Sequence, residues 1–151
     1  RFRNEKVGFI FQFHYLLPEL TALENVLLPA RNLGRHDEQM QPALELLEEL
    51  GVLEQRNKFP SQMSGGQQQR VAIARALLLK PKFLFADEPT GNLDTQNAAV
   101  VMDILKRASK ENGMTIALVT HEPVFAAQAD REIYLVDGRI ANREAAESKG
   151  I

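Results

Sequence analysis

Two acids at the end of an apolar run are the first residues whose type and spacing suggest chemistry. Residues 83–88 read FLFADE, so four apolar side chains lead directly into Asp87 and Glu88. In phosphate-transfer sites a carboxylate at the end of a buried strand holds Mg²⁺, directly or through water. A second carboxylate beside it can orient or deprotonate an attacking water. Successive strand residues point to opposite faces, so Asp87 and Glu88 are expected to divide these tasks. Taken alone, the run equally describes a strand that ends in two solvated acids. A second feature is Met63-Ser64-Gly65-Gly66-Gln67. Two glycines let backbone approach a ligand closely. A hydroxyl and free N–H groups at a helix start make an anion site. Alone, the serine and glycines read more readily as an N-cap and a turn.

The elements that must position these residues follow from periodicity and punctuation. Residues 7–12 (VGFIFQ) have the composition of a short buried strand. Thr21-Ala22-Leu23-Glu24 has capping-box spacing, which predicts a helix from there to about residues 30–33, with Pro29 as a kink or a stop. Ala43, Leu46, Leu47 and Leu50 fall on one helical face, and Gly51 stands where a C-terminal stop belongs. Asp37 is a candidate cap for that helix, although Pro42 then falls early inside it. Residues 67–79 are good helix formers with small side chains at Ala72, Ala74 and Ala76, and Pro81 ends them. Residues 83–86 and Thr115–Val119 read as strands. Between them Val101, Ile104, Leu105 and Ala108 mark a helix that stops at Gly113. Asp137-Gly138 is a two-residue hairpin signal between 132–136 and 139–141, and the tail 144–151 is expected to fray.

Strands alternating with helices argue for an α/β fold with a largely parallel sheet. The run from Leu16 to about Gln62 holds helices with no strand, as an inserted helical subdomain would. The expected layout is a helical subdomain over about 13–80 carrying the Ser64 turn, with 1–12 and 81–143 forming the sheet core. Of the 151 residues, 44% are hydrophobic and 25% charged, which suits a packed core. A net charge of −2 argues against a nucleic-acid partner. Cysteine is absent, which excludes disulfides and thiolate metal sites. No apolar run approaches the about 18 residues that span a bilayer.

The order MSGGQQQRVAIARAL, then FLFADEPTGNLD, then LVTHE resembles the ABC ATPase family of P-loop NTPases. Gln67 closes the signature motif, with Met63 in the place of the usual leucine. Asp87 and Glu88 match the Walker B pair, residues 91–94 the D-loop, His121 the switch histidine and Gln12 the Q-loop glutamine. The resemblance covers residues 7–122. It implies an ATPase using ATP and Mg²⁺, with Asp87 and Gln12 toward the metal, Glu88 as catalytic base on water, and His121 at the γ-phosphate. It implies that Ser64, Gly65, Gly66 and Gln67 bind a nucleotide held by a second ATPase subunit in a two-fold dimer, with Asp94 across that interface.

Phe11 to Pro29 (FQFHYLLPELTALENVLLP) narrows the resemblance to the lipoprotein-releasing type, with the macrolide-export type second. This implies transmembrane permease partners and a place on the cytoplasmic face of the bacterial inner membrane. In the family this segment meets the permease, so Leu16, Leu17 and Leu23 are candidates for contact or for core. An exporter of drugs or peptides is the nearest alternative. An ABC-type head of a DNA-maintenance protein is remote, because the chain lacks heptads and a basic surface. A degenerate subunit is argued against by Glu88, His121 and the intact SGGQ.

A search for G-x-x-x-x-G-K-[ST] finds no match, and none of the nine glycines is followed by lysine. That loop supplies the N–H groups, lysine and hydroxyl that hold nucleotide phosphates. The chain therefore reads as an N-terminally truncated cassette that exposes apolar sheet surface and does not turn ATP over alone.

Overall fold

The computed structural model describes residues 5–142, so the tail at 144–151 lies outside the described residues. The chain divides into two units, one up to Val119 and one from Thr120 onward.

Strand pairing organises the first unit. β1 (Val7–Ile10), β2 (Phe83–Asp87) and β3 (Thr115–Val119) form a parallel sheet in that order. In the register, Ile10 lies opposite Ala86, and Asp87 lies opposite Val119. β1 is shorter than the sequence pattern predicts. The chain bends at Gln12–Phe13, and Tyr15 adopts a left-handed φ of 43°.

Three helices lie between β1 and β2, with no strand among them: α1 (Ala22–Arg31), α2 (Met40–Glu49) and α3 (Gly65–Leu77). Thr21 caps α1 through the predicted box: its hydroxyl accepts from Glu24 N–H, and the Glu24 carboxylate accepts from Thr21 N–H at 2.8 Å. Pro29 does not stop α1. It sits in the last turn, so one bond, that to the Asn25 carbonyl, is forgone and the helix runs on to Arg31. A 3₁₀ turn at Asp37–Gln39 precedes α2, which places Pro42 in the first turn, the position a helix tolerates. Gly51, just past the Leu50 cap of α2, and Gly113, which follows the helix ending at Asn112, take left-handed φ values of 64° and 61°, as terminal glycines do.

α3 is the hub of the helical layer, packing on α1, α2 and β1. Val71, Ala72, Ile73 and Ala74 are buried along it, and the same core holds Val26 and Leu27 of α1, Ala43 and Leu47 of α2, and the inner sheet residues Ile10, Leu84 and Ala86. Its C-terminal turn comes so close to β1 that a Cβ on Gly8 would lie 2.8 Å from the Ala76 carbonyl and 2.8 Å from Leu84 Cδ1. Only glycine fits there. α4 (Thr95–Asn112) packs on β3. The opposite sheet face is apolar and exposed: Phe9 stacks on Phe85 at 5.6 Å, and Phe85 is 48% exposed. Parallel sheets are ordinarily covered on both faces.

The second unit contains α5 (Pro123–Ala126) and an antiparallel hairpin of β4 (Tyr134–Val136) and β5 (Arg139–Ala141). Asp137 and Gly138 both have positive φ, 51° and 73°, which a two-residue turn matched to strand twist requires.

Two buried or capping polar groups make separate predictions. Asn25 is fully buried, accepting from Leu17 N–H at 2.8 Å and donating to the Leu17, Leu20 and Thr21 carbonyls at 3.0–3.1 Å. Asn25→Leu keeps the branched heavy-atom shape but takes the side-chain partner from Leu17 N–H and the Leu20 carbonyl, and should cost about 3 kcal/mol in urea denaturation. Asp94 caps α4, accepting from Asn97 N–H at 2.9 Å. That bond, then the Asn97 side chain, then Gln96 N–H and the Arg70 charge hold its carboxyl below the ordinary aspartate range. A depressed folded pKa stabilises above the unfolded value and loses that stability as pH falls through the folded value. Asp94→Asn should therefore lower the urea midpoint at neutral pH, with the gap closing as acidification passes below the ordinary aspartate range.

Candidate functional site

The parallel register determines which sequence motifs meet. Because β1 and β2 run parallel with Ile10 opposite Ala86, the segment that leaves β1 at Phe11 and Gln12 and the end of β2 at Asp87 and Glu88 lie at the same edge of the sheet. In open parallel sheets this is the edge where ligands bind. Asp87 is the last residue of β2 and is exposed. Glu88 is half-buried, with its Oε2 fully buried. The backbone at Glu88 is left-handed, φ 45°, a conformation that costs a non-glycine residue roughly 1–3 kcal/mol. Its N–H donates to the Val119 carbonyl at 2.9 Å and its carbonyl accepts from Gly91 N–H at 3.2 Å. The two acids therefore differ in burial, Asp87 closing the strand and Glu88 opening the turn after it.

The serine–glycine turn begins α3. Ser64 Oγ accepts from Gln67 N–H at 3.3 Å, and Gln67 Oε1 accepts from Ser64 N–H at 2.9 Å. The structure thus makes Ser64 an N-cap in a reciprocal box. Capping and ligand binding are compatible. A hydroxyl that accepts the cap bond keeps its O–H to donate, and the first N–H groups of the helix, those of Gly65 and Gly66, lack intrahelical acceptors. Ser64 and Gly65 are exposed. Gly66 lies against the D-loop segment, where an added Cβ would sit 3.4 Å from both the Asn92 carbonyl and Leu93 Cδ2.

Side chains join these motifs. Asn92 Nδ2 donates to the Gln12 carbonyl at 3.1 Å. Arg70 Nε donates to the Gly66 carbonyl at 3.3 Å, and its Nη1 donates to Asn97 Oδ1. Asn97 in turn bonds Asp94 through its backbone and its side chain. Gln12, Gly66 and Asp94 are thus tied to one another within the first unit. His121 belongs to the second unit, two residues beyond β3 in sequence, and is exposed.

Several participating residues were not singled out from the sequence. Arg75 donates to the His14 and Tyr15 carbonyls at 3.1 and 2.9 Å, holding the segment after Gln12. Burial pushes the Arg75 guanidinium below its ordinary pKa. Gln69 is buried between the two strand exits. The signal for Gln69 was present: with Ala72 and Ile73 it occupies i, i+3 and i+4 of a buried stripe, where a polar side chain must find partners. Arg70 and Asn97 carried no comparable signal, because they lie 27 residues apart.

Among the described residues no cluster of three or more histidine, cysteine, aspartate or glutamate residues could hold a metal. The oxygen donors at the strand exits nevertheless suit Mg²⁺, which is commonly held by one or two carboxylates plus water and substrate phosphates.

Comparisons with known proteins agree with this arrangement. The model of the ABC transporter family matches residues 1–91. The lipoprotein-releasing system ATP-binding protein LolD of Leptospira interrogans is 55% identical over 93% of the chain and 60% of its own length. LolD of Aquifex aeolicus is 50% identical over 91% of the chain and 62% of its length. A dimeric structure of a bacterial ABC transporter cassette superposes with a TM-score of 0.86 at 43% identity, over 93% of the chain and 62% of the cassette. A post-hydrolysis state of an ATP-binding cassette, bound to ADP and Pi, gives 0.82 at 40% identity over the same shares. The chain spans about 60% of the length of the relatives it matches. With its strand-exit acids, capped serine–glycine turn and parallel sheet all in the expected order, the chain belongs to the ABC transporter family.

Proposed function

We propose that this chain carries the Walker B, signature, D-loop, Q-loop and switch elements of an ATPase subunit that powers lipoprotein release from the bacterial inner membrane. The observation that carries the reading is that β1 and β2 run parallel and end at the same carboxyl edge, where the Gln69 amide bonds both the Phe11 carbonyl beside Gln12 and the Pro89 carbonyl beside Glu88. In this reading Asp87 holds Mg²⁺ through its water shell and Gln12 helps position metal and water. Mg²⁺, when bound, neutralises charge on the phosphates. Glu88 takes a proton from the attacking water, and its partial burial favours that role by excluding bulk solvent. His121 meets the γ-phosphate.

The exposed turn at Ser64, Gly65 and Gly66, closed by Gln67, faces a nucleotide bound by a second copy, with Asp94 at the same interface. The cassette of similar fold is described as dimeric, which supports a two-fold arrangement. Residues 13–80 form the helical subdomain bearing that turn, and 1–12 with 81–143 contribute to the sheet core. Phe13 and Tyr15, 69% and 65% exposed, present an apolar surface suited to a transmembrane permease. No helix among the described residues is long and apolar enough to cross a membrane. The phosphate loop G-x-x-x-x-G-K-[ST] is not in this sequence, so the chain alone binds ATP weakly.

Two measurements test the reading. In the whole gene product with its membrane partners, Glu88→Gln should lower ATP turnover by about 10²-fold or more while nucleotide binding persists. Undiminished turnover would refute the role of Glu88. Isothermal titration of the present chain with Mg-ATP should show no binding in the micromolar range, and a micromolar dissociation constant would refute the expected weakness.

A further inference from the structure

We propose that Gln69 is a positioning residue whose carboxamide clamps the segment carrying Gln12 to the segment carrying Glu88 and fixes the proton of His14 on Nδ1. The side chain is fully buried. Its Nε2 donates to the Pro89 carbonyl at 3.0 Å and to the Phe11 carbonyl at 3.4 Å. Its Oε1 lies 2.6 Å from His14 Nδ1. These partners dictate the orientation of the amide. Two carbonyls need the NH₂ group, so the oxygen must face His14, and Nδ1 must then carry the proton.

The two carbonyls belong to the residues flanking the candidate machinery. Phe11 immediately precedes Gln12, and Pro89 immediately follows Glu88. Glu88 holds a left-handed φ of 45°. Such a conformation persists only where the surroundings over-determine it. Its own N–H and carbonyl are fixed by Val119 and Gly91, and Gln69 fixes the next carbonyl along the chain. The His14 ring meanwhile stands beside the signature turn, with Nε2 3.8 Å from where a Cβ on Gly65 would lie. One buried amide therefore joins three segments. No other side chain of this length both donates twice and accepts: methionine does neither strongly, and glutamate only accepts when ionised.

This inference rests on the proposed ATPase reading for its kinetic consequence, and not for the His14 proton. The test uses Gln69→Met and Gln69→Glu in the whole gene product, with unfolding midpoints measured alongside. Gln69→Met retains length and loses all three bonds, whereas Gln69→Glu retains the acceptor for His14 and loses both donors. Both variants should lower kcat by roughly 10- to 100-fold, since a displacement of about 1 Å at reacting groups has that effect, with KM for Mg-ATP changed by less than about 3-fold. Nitrogen-15 NMR of the His14 ring should show the Nδ1–H form in the wild type and in Gln69→Glu, and its loss in Gln69→Met. If Gln69→Met does not fold, Gln69→Glu decides. Unchanged kcat in a folded variant, or a fall in kcat matched by a rise in KM, would overturn the clamp. An Nε2–H ring in the wild type would overturn the amide orientation. Failure of Glu88→Gln to slow turnover would sink the ATPase reading while leaving the His14 result standing.

Discussion

β2 is hydrogen-bonded on both sides, to β1 and to β3, and the chemistry of the chain depends on where that pairing stops. Its register runs through Asp87, and the next residue departs from extended backbone into a left-handed turn. The hydrogen bond from Glu88 N–H to the Val119 carbonyl is the last rung, and it holds Glu88 in place while its backbone reverses. A strand in this position cannot slip by one residue. Slippage would turn Leu84 and Ala86 from the core to the exposed face and would exchange the directions of the two acids. Burial of the inner face therefore enforces the placement of Asp87 and Glu88 as a by-product of packing.

Around that strand end, polar side chains connect motifs that lie far apart in sequence. Asn92 reaches Gln12, Arg70 reaches both Gly66 and Asn97, and Arg75 reaches the segment after Gln12. All three links involve backbone carbonyls or amides, which hold loops at lower entropic cost than pairs of long charged side chains do. The helix that starts at the signature turn is also the hub of the helical layer. Gly65 and Gly66 thereby begin an element packed on α1, α2 and β1, where Gly8 leaves no room for even one added carbon.

The two faces of the sheet differ in kind. The inner face is closed by α3 and its neighbours, while the outer face presents Phe9, Phe83, Phe85 and Val119. Phe9 lies between Phe11 and Phe85 in a stacked row, with centroids 5.8 and 5.6 Å apart. Stacking shields part of each ring, yet every one of these rings remains exposed. The expectation of uncovered apolar sheet surface thus matches the described residues. The segment after Gln12 shows the same mixture: Asn25 buries its amide to hold the backbone at Leu17 and Leu20, and Leu17 itself stays exposed.

Local signals in the sequence determined the elements. The capping box at Thr21, the stop at Gly51, the stripe through Val101 to Ala108 and the Asp137-Gly138 turn each depend on neighbours within a few residues, so each was legible. So were the acids after a buried strand and the serine before two glycines. Tertiary structure alone decided what joins them. The partners of Gln69 are 20 and 58 residues away, and those of Arg75 about 60, distances that no periodicity encodes. The bend after Ile10 and the left-handed backbone at Glu88 were equally hidden, because φ at a non-glycine residue is imposed by packing from outside rather than by the residue's own preference. The amino-acid order thus named the candidate groups, and three-dimensional packing set the angles and spacings at which they are held.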